Sequence, residues 1–436
     1  MIREKAVGID QSVIDEAAVV IIGGGIIGSS AAFHLAKAGV KDVLILERNQ
    51  LSGGATARAA GLVCHARSDV TTTQMVNRTR QAIAELEELL GEKLDYRQVG
   101  SIRAILNEAR LSELTVMENC LNAGGISFDV IDASAARAMC PWLELGGAHR
   151  IVYVDVDGYI DGARLGTAYA SAARRLGVRI RRGVTATGLS MQNERVTGVA
   201  TDQGFIRADW VIDAAGVWGA VVSSWLGWGF AAAPTRSHYW ITAPDGSGAP
   251  GRPNVHLPDM RTYLRSEVGG ILIGMQEPKS RTYHPMQLTV DMEDMPLIEE
   301  EHDLDLLVEQ AAALRDIIPS IDQWGFAHHI AGLSNYTPDG KFVIGAVPGI
   351  KGFLLAGGCC GSGVAASGGF GQAIANLVTA TASDIDISRY RPDRFGVVDP
   401  TSDAFRERCA AARSGKSRGR VDTSCEIERL TGTALP

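Results

Sequence analysis

Residues 19–39 read VVIIGGGIIGSSAAFHLAKAG and contain the pattern that decides the fold. Four apolar residues run into a glycine triplet and then into a helix with apolar periodicity, which is the strand–turn–helix that opens a dinucleotide-binding βαβ unit. Gly23 permits the tight turn, Gly25 lets the backbone approach a pyrophosphate, and Gly28 lets the helix pack closely on the strand. The phosphates are expected at the helix N-terminus, where free N–H groups and the helix dipole favour negative charge.

A second predicted strand, VLIL at residues 43–46, ends in Glu47. This carboxylate lies about twenty residues beyond the glycines, the spacing at which an acidic residue binds the ribose hydroxyls of a dinucleotide. It would repel a 2′-phosphate, so the pattern disfavours NADP. Ala32 and Gly39 also fall where the helix needs a small residue and an end. The whole pattern therefore predicts a Rossmann-like unit rather than a chance glycine-rich turn.

Small residues dominate a later run, LSGGATARAAGLVCHARS at residues 51–68, and the loop GCCGSG at residues 358–363. Small side chains let the backbone approach a flat, bulky group, and in this fold an isoalloxazine ring fits that description. NAD would give these two runs no ring to flank, so the sequence favours FAD. A helix predicted over residues 364–381 directs its positive end at the reduced flavin.

Length and composition predict an enzyme-like chain of more than one part. The 436 residues suit two domains or one elaborated domain. The net charge of −8 argues against a nucleic-acid partner. We expect no export signal in MIREKAVGIDQ and no membrane span in the uncharged residues 17–36, which three consecutive glycines interrupt. Seven cysteines without a CxxC motif favour reduced thiols in the cytoplasm, and no metal site is predicted.

The predicted fold class is α/β, with a Rossmann-like FAD-binding domain and an interleaved antiparallel β-sheet substrate domain. A long charged helix is expected over residues 295–318 of the substrate domain, and the basic run at residues 416–420 is interpreted as a solvated end. The predicted FAD-binding parts are residues 15–90, 151–233 and 333–395, the substrate or cap parts are residues 91–150 and 234–332, and the C-terminal tail is residues 396–436.

With these pieces in place, the chain resembles the D-amino-acid-oxidase-type flavoproteins, the superfamily of glycine oxidase, sarcosine oxidase and dimethylglycine dehydrogenase. The resemblance covers residues 15–395, and nothing after Ser402 resembles the folate-binding domain of the dehydrogenase branch. The motifs most similar to the sarcosine and dimethylglycine dehydrogenase branch are ATARAAGL (55–62), YLRSE (263–267) with GGILIG (269–274), and NYTPDG (335–340).

The glycine pattern and the resemblance together assign a set of residues to FAD. They are Gly23, Gly25, Ile26, Ile27, Gly28, Glu47, Arg48, Gly54, Ala55, Thr56, Arg58, Ala60, Gly61, Leu62, Val184, Ala215, Gly216, Trp218, Gly332, Leu333, Gly358, Gly361, Ser362, Gly363 and Val364. Arg58 stands where the dehydrogenase branch has a histidine bonded to the flavin, and Ser334 stands where monomeric sarcosine oxidase has a flavin-linking cysteine. We therefore expect non-covalent FAD.

The resemblance also guides the choice of substrate residues. Glycine oxidase has a carboxylate-binding arginine where this chain has Ser334. Tyr263 and Arg265 alternate onto one face of a strand that lines the family's substrate pocket, so they are the predicted catalytic-site residues that hold a substrate carboxylate. His256 and His65 are further substrate-binding candidates. The alternatives are a salt bridge from Arg265 to its neighbour two residues along and histidines that merely pack.

The activity implied by the resemblance is oxidation of a secondary or tertiary amine with a carboxymethyl group, such as iminodiacetate or sarcosine. Hydride transfer to flavin N5 gives an imine, which water hydrolyses to an amine and glyoxylate or formaldehyde. The electron acceptor stays open between O2 and another acceptor. Leu272 stands where sarcosine oxidase of this family has an oxygen-activating lysine, whereas Lys279 is near enough in sequence to lie beside the same pocket. A D- or L-amino acid oxidase or deaminase, a hydroxy-acid or glycerol-phosphate oxidoreductase and a non-catalytic regulator remain alternatives. The number of subunits stays open.

Overall fold

The computed structural model describes residues 13–416. Within this range the strands are β1 (Val13–Ile22), β2 (Val43–Glu47), β3 (Leu62–Val63), β4 (Arg97–Gln98), β5 (Ser101–Ile105), β6 (Asp129–Ile131), β7 (Arg150–Val154), β8 (Gly158–Tyr159), β9 (Arg179–Arg182), β10 (Ala186–Gln192), β11 (Arg195–Thr201), β12 (Gly204–Asp213), β13 (Ala233–Thr242), β14 (Asn254–Leu257), β15 (Thr262–Glu267), β16 (Gly270–Met275), β17 (Phe326–Tyr336), β18 (Val343–Ala346) and β19 (Phe353–Gly357).

The α-helices of the same range alternate with these strands. They are α1 (Ile26–Lys37), α2 (Val70–Leu90), α3 (Leu111–Ala123), α4 (Ala133–Met139), α5 (Gly162–Arg175), α6 (Gly219–Ser224), α7 (Glu300–Leu314), α8 (Ser367–Thr379) and α9 (Asp403–Ser414). Both classes of element contribute to the core, as expected for an α/β protein.

The first large sheet is built around β1. Its main order is β10-β11-β12-β1-β2-β9, with β19 paired to β12 and β18 paired to β19. Strand β1 runs parallel to both β12 and β2, and residues 19–22 are buried on both faces. A parallel sheet covered on both sides needs such an uninterrupted apolar strand. The predicted Rossmann-like sheet is thus confirmed.

Helix α1 packs on this sheet together with α5 and α8. Helix α2 also belongs to this layer and is five residues longer than residues 75–90, the apolar stretch that the sequence shows as a helix. It starts earlier because the Asp69 side chain accepts a hydrogen bond from the Thr72 backbone N–H at 2.7 Å and caps the helix. The cap satisfies an N–H group that would otherwise lack a partner.

The second large sheet has the order β17-β13-β16-β15-β14-β5-β7-β6. Every neighbouring pair in it is antiparallel except β14 and β5, which run parallel. Its strands come from two separate stretches of the chain, residues 101–154 and 233–336. A third, small sheet has the order β3-β8-β4.

Two sequence-based expectations on helices need correction. The charged helix α7 is shorter than the expected residues 295–318, and α8 begins at Ser367 rather than at residue 364. The C-terminal tail contains α9, whose Phe405, Cys409 and Arg413 form a buried stripe. The basic run was expected to be a solvated end, and its first residue, Lys416, is exposed and also lines a cavity described below. Residues 417–420 of that run lie outside the described residues.

None of the helices within residues 13–416 is long and apolar enough to cross a membrane.

The packing of α1 on β1 gives a first prediction. A Cβ atom added at Gly28 would lie 2.0 Å from the carbonyl oxygen of Gly23. We expect Gly28→Ala to lower the free energy of unfolding by about 1–3 kcal/mol, as overpacking does, and to reduce the bound FAD. Gly147→Ala is the matched control, since a Cβ there meets nothing within 4 Å. Denaturant unfolding and the flavin absorbance of purified protein measure both effects, and equal behaviour of the two variants would contradict the packing role.

Candidate active site

A cavity of about 1540 Å³ is lined by residues from both large sheets. Gly28 does not line it but packs behind it, against the Gly23 carbonyl. Every other residue that the sequence assigned to FAD contributes to its wall: Gly23, Gly25, Ile26, Ile27, Glu47, Arg48, Gly54, Ala55, Thr56, Arg58, Ala60, Gly61, Leu62, Val184, Ala215, Gly216, Trp218, Gly332, Leu333, Gly358, Gly361, Ser362, Gly363 and Val364.

The dinucleotide end of the cavity has the shape that FAD needs. A Cβ added at Gly25 would meet only Thr56 Oγ1, at 3.6 Å, and one added at Gly216 would meet nothing within 4 Å. These two glycines leave an open cradle at the ends of β1 and β12. Glu47 stands at the end of β2, where its carboxylate accepts hydrogen bonds from the Gly24 and Asn49 backbone N–H groups, each at 2.8 Å. The residues present therefore fit the cofactor.

One wall of this end is a loop that the sequence did not reveal. Met286 and residues 288–293 line the cavity, and the Trp218 indole N–H donates to the Thr289 carbonyl at 3.0 Å. The Arg48 guanidinium lies 4.1 Å from the centroid of the Trp218 ring, within the range of a cation–π contact. The loop has no glycine pattern or periodicity, so no local signal indicated its position.

Arg58 and Ser334, at the two positions where a covalent flavin anchor is missing, make ordinary polar contacts within the protein. Arg58 Nη1 donates to the carbonyls of Gly53 and Gly54 at 2.8 and 3.2 Å. The Ser334 hydroxyl accepts a hydrogen bond from the Gly361 N–H at 3.1 Å. Both side chains therefore help to shape the loops at the cavity wall.

The turn that precedes α8 faces the cavity in place of the helix itself. Ser362, Gly363 and Val364 line the wall, whereas the helix starts at Ser367. The Ala366 N–H donates to the Ser362 carbonyl at 3.0 Å, so the turn is closed by its own hydrogen bond. Its remaining backbone groups lie where the positive end of the helix was expected.

The second sheet contributes a row of residues that are neighbours across five strands. Arg103 on β5 is in register with His256 on β14, which is in register with Tyr263 on β15. The row continues through Gly274 on β16 to Tyr239 on β13. Side chains in register share one face of a sheet, and the four side chains of this row all line the cavity.

Gly274 makes room for the tyrosine in this row. A Cβ at Gly274 would lie 1.9 Å from Tyr263 Cζ, so only glycine lets the ring lie flat across β16. Burial raises the pKa of Tyr263, which keeps its hydroxyl protonated at neutral pH. Tyr263 is thus the predicted substrate residue that the structure places at the cavity, as a hydrogen-bond donor or acceptor.

Arg265, the other predicted catalytic-site residue, does not line the cavity. Its Nη1 lies 2.5 Å from Glu267 Oε2, its Nε donates to the Ala60 carbonyl at 2.7 Å, and its guanidinium covers the Tyr159 ring. The structure therefore does not bring Arg265 to the cavity wall, where the sequence analysis expected it. Its donors are engaged within the protein, and it ties β15 to the small-residue loop that carries Ala60.

The two histidines predicted to bind substrate lie in different places: His65 lies in the buried interior, and His256 lies at the cavity wall. His65 is fully buried, its Nδ1 lies 2.6 Å from Asp157 Oδ1, and it does not line the cavity. Asp157 Oδ2 accepts from the Ser101 hydroxyl at 2.5 Å, so this buried group fixes the chain segment around His65. His256 Nε2 lies 3.4 Å from the Cys64 sulfur at the cavity wall.

The electrostatics of this wall keep His256 and Cys64 neutral. Burial lowers the pKa of His256 well below its usual value, and the cations of Arg103 and Arg67 lower it further. Burial, with Asp157 adding to it, raises the pKa of the Cys64 thiol. An imidazole and a thiol at this distance therefore offer no thiolate nucleophile and no imidazolium acid.

Two arginines that sequence reasoning missed lie beside His256. Arg103 Nε is buried without a hydrogen-bond partner among the described residues, and burial lowers the pKa of Arg103 to about 10. Arg67 Nε donates to the Cys64 carbonyl at 2.9 Å, and its Nη1 lies 3.4 Å from Ser362 Oγ. Within residues 13–416 neither guanidinium has an ion pair with a carboxylate. We call Arg67 and Arg103 the inner arginine pair; both line the cavity.

The sequence also suggested Lys279 as a neighbour of the substrate pocket. The structure places Lys279 on the exposed surface, away from the cavity lining, while Leu272 is fully buried in β16. Lys416 instead reaches the cavity wall from the segment after α9. No local pattern indicated this, because Lys416 contacts Cys360 and Ser362, which lie far from it in the sequence.

The family follows once this geometry is in view. A family model described as FAD-dependent oxidoreductase, or DAO, matches residues 18–377. The chain belongs to this family. It is therefore an FAD-dependent oxidoreductase enzyme, and the predictions of the family resemblance, of FAD as cofactor and of an enzyme are confirmed.

The names of two curated relatives of this DAO-family chain describe enzymes that act on amines. Mitochondrial dimethylglycine dehydrogenase of Rattus norvegicus is 28% identical over 395 residues, which cover 88% of this chain and 45% of the relative. The formaldehyde-forming 4-methylaminobutanoate oxidase of Paenarthrobacter nicotinovorans is 28% identical over 382 residues, which cover 86% of this chain and 45% of the relative. The chain thus spans about half the length of these relatives.

Solved structures of the same fold superpose over most of the chain. L-Proline dehydrogenase from P. horikoshii matches with a TM-score of 0.77 at 23% identity and covers 87% of this chain and 98% of that one. Iminodiacetate oxidase from Chelativorans sp. BNC1 matches with a TM-score of 0.69 at 23% identity and covers 86% and 98%. At these identities the likeness concerns the fold.

A histidine–carboxylate group of the DAO-family chain resembles a metal site in composition. His238, His329 and Asp303 place one ligand atom each within 4.8 Å of one another. Arg236 already binds both oxygens of Asp303, at 2.8 and 3.0 Å, and the two imidazoles lie 3.1 Å apart. The side-chain atoms that could bind a metal ion are therefore engaged in contacts within the protein.

A second prediction concerns the row across the second sheet. We expect Gly274→Ala to displace the Tyr263 ring and to lower kcat/KM for the best amine substrate by about ten- to a hundredfold, since small displacements of a positioning group have effects of this size. FAD content should stay unchanged, because β16 lies away from the dinucleotide cradle. Steady-state kinetics and flavin absorbance test this against Gly147→Ala. An unaltered kcat/KM would show that the tyrosine position is unimportant.

A third prediction concerns the flavin linkage. With Arg58 and Ser334 at the two anchor positions, we expect acid precipitation to release all of the yellow cofactor into the supernatant. Mass spectrometry of the precipitated chain should give the unmodified mass of the sequence. A yellow pellet, or a mass increased by one FAD, would contradict non-covalent binding.

Proposed function

We propose that this FAD-dependent oxidoreductase oxidises a secondary or tertiary amine that carries a carboxymethyl group, such as sarcosine or iminodiacetate. The inner arginine pair is the observation that supports the proposal. Two guanidinium groups that have no carboxylate partner within residues 13–416 line the cavity beside Tyr263 and His256. Arginine binds a carboxylate through two parallel hydrogen bonds, which fixes the orientation of the attached arm.

The charge of the wall also suits an amine substrate. Arg67 and Arg103 disfavour a protonated nitrogen nearby, so the amine is bound as the free base with its lone pair available. Neutral His256 and Tyr263 contribute hydrogen bonds and shape without adding charge. No side chain of the wall is then needed as a general base, because the amine has lost its proton before it is oxidised.

FAD, when bound, supplies the oxidant that accepts a hydride from the α-carbon of the carboxymethyl arm. Water then breaks the carbon–nitrogen bond of the resulting iminium, and its oxygen becomes the aldehyde oxygen of glyoxylate; where the hydride leaves an N-methyl carbon instead, the same hydrolysis gives formaldehyde. The chain contributes orientation and electrostatics: the inner arginine pair holds the carboxylate and the row across the second sheet presents the arm.

The names of the relatives support the same substrate class. Dimethylglycine and 4-methylaminobutanoate are both N-methylated amino acids with a carboxylate. An amino acid oxidase or deaminase is the second candidate, since the fold is shared with L-amino acid deaminase from Proteus vulgaris. The two candidates differ in whether the reacting nitrogen is substituted.

Anaerobic reduction of the bound flavin tests the proposal. We expect sarcosine, dimethylglycine or iminodiacetate to bleach the flavin rapidly, and D-alanine, L-alanine and glycerol 3-phosphate to leave it yellow. Arg103→Met should raise the KM for the active amine by about ten- to a hundredfold, because hydrogen bonds to charged groups contribute about 1.5–3 kcal/mol. Arg97→Met, at an arginine whose side chain is 62% exposed, is the matched control.

The outcomes separate the candidates. Bleaching only by primary amino acids would overturn the proposal in favour of an amino acid oxidase or deaminase. Bleaching only by glycerol 3-phosphate would point to the alcohol chemistry that the fold also supports. After bleaching by an N-carboxymethyl amine, admission of air distinguishes an oxidase, whose flavin returns to yellow within seconds, from an enzyme that needs another acceptor.

A further inference from the structure

We propose that the end of α9 supplies a second anion-binding subsite in the same cavity, so that the preferred substrate is an amine with two carboxylates. The subsite consists of Arg413 and Lys416, which we call the outer cation pair. This inference rests on the proposed function, because the inner arginine pair is taken to bind the first carboxylate.

Helix α9 is anchored so that Arg413 points to the cavity. Phe405 and Cys409 lie four residues apart on one face of the helix, are buried, and pack in a cluster with Tyr336. Arg413 continues this face by one more turn and is only 3% exposed. The helix therefore holds the guanidinium in place through apolar packing.

The contacts of Arg413 leave its charge uncompensated. Its Nε donates to Ser237 Oγ at 3.2 Å and its Nη2 donates to the Met275 carbonyl at 3.0 Å. Its Nη1 is buried with no hydrogen-bond partner among the described residues. These acceptors are neutral, and within residues 13–416 Arg413 forms no ion pair. A buried cation without a counter-ion is costly, and a bound anion removes that cost.

Lys416 lies next to Arg413 and faces the cavity. Its ammonium donates to the Cys360 carbonyl at 2.8 Å and lies 5.9 Å from the centroid of the Tyr336 ring, while the Arg413 guanidinium lies 5.8 Å from the same centroid. Desolvation, with the cations of Arg67 and Arg413 adding to it, lowers the pKa of Lys416, and the residue keeps an exposed surface. The outer cation pair thus repels itself and the inner arginine pair.

The two pairs meet at one hydroxyl group. Arg67 Nη1 lies 3.4 Å and Lys416 Nζ 3.5 Å from Ser362 Oγ. Two carboxylates attached through one-carbon arms to a single nitrogen have a spacing that suits such adjacent cations. A monocarboxylate would neutralise one pair and leave the other unpaired.

Acidic side chains near the cavity do not neutralise these cations. Asp69 accepts hydrogen bonds from Thr72 and from the Tyr390 hydroxyl, and Asp339 binds Arg394 through both of its oxygens. Asp157, which lies near the inner arginine pair, is engaged by His65 and Ser101. Within residues 13–416 none of these three carboxylates pairs with the four cations, which leaves the cations available to an anionic ligand.

Thioether analogues of the substrate test the subsite by binding alone. Thiodiacetate carries two carboxylates and (methylthio)acetate carries one, and neither has the amine that is oxidised. By isothermal titration of the FAD-loaded enzyme we expect thiodiacetate to bind at least about tenfold more tightly, since a charged hydrogen bond contributes about 1.5–3 kcal/mol. The same preference should appear as a larger kcat/KM for iminodiacetate than for sarcosine.

Variants locate the effect. Lys416→Met should weaken thiodiacetate binding about tenfold or more and leave (methylthio)acetate binding within about threefold. Lys279→Met, at an exposed lysine outside the cavity, should change neither affinity. Arg103→Met should weaken both ligands, because it removes part of the first carboxylate site. Arg413→Gln repeats the Lys416 test with a polar replacement if the methionine variant does not fold.

Three results would overturn the inference. Equal affinity of wild-type enzyme for the two thioethers would show that there is no second subsite. Equal weakening of both ligands by Lys416→Met would place Lys416 at the first carboxylate. A changed flavin reduction potential with unchanged thioether affinities would mean that the cations serve the flavin. In each of these cases the proposed function still stands if sarcosine rapidly bleaches the flavin. Failure of the proposed function would appear separately, as the absence of this bleaching in the flavin reduction assay.

Discussion

The close contact between the start of α1 and the glycine turn after β1 is the constraint on which the other parts of the structure depend. At Gly28 the helix backbone approaches the Gly23 carbonyl so closely that no side chain fits between them. This approach brings the first turn of α1 to the edge of the parallel sheet, where its N–H groups face the cavity. The dinucleotide cradle, and thus the position of any substrate relative to it, follows from that geometry.

The second sheet completes the site by a different principle. Its strands come from two stretches of the chain, and register across them aligns Arg103, His256 and Tyr263 on one face. Because the strands are held by backbone hydrogen bonds, the spacing of these side chains is fixed before any ligand binds. A preorganised wall of this kind lowers the cost of orienting a small substrate.

Uncompensated positive charge is the chemical character of the cavity. Buried cations in proteins are normally paired, and here Arg236 and Arg265 follow the rule through Glu277 and Glu267. Within residues 13–416, Arg103 and Arg413 form no ion pair, and each has a buried nitrogen atom without a hydrogen-bond partner at the cavity wall. The contrast within one molecule distinguishes arginines that stabilise the fold from arginines that are available to an anion. Arg265, the arginine chosen from the sequence, belongs to the first group.

The sequence by itself determined the FAD-binding fold, because its signals are local. The apolar strand, the glycine turn and Glu47 lie within about thirty residues, and each has a meaning that neighbours along the chain supply. The run around Ala55 and the loop at Cys359 were recognisable for the same reason, since small residues mark a close backbone approach. Only the tertiary structure decided the substrate wall. Arg103 and Lys416 belong to elements far apart in sequence, and whether a cation is paired depends on which carboxylates the fold brings near it. No periodicity or spacing along the chain carries that information.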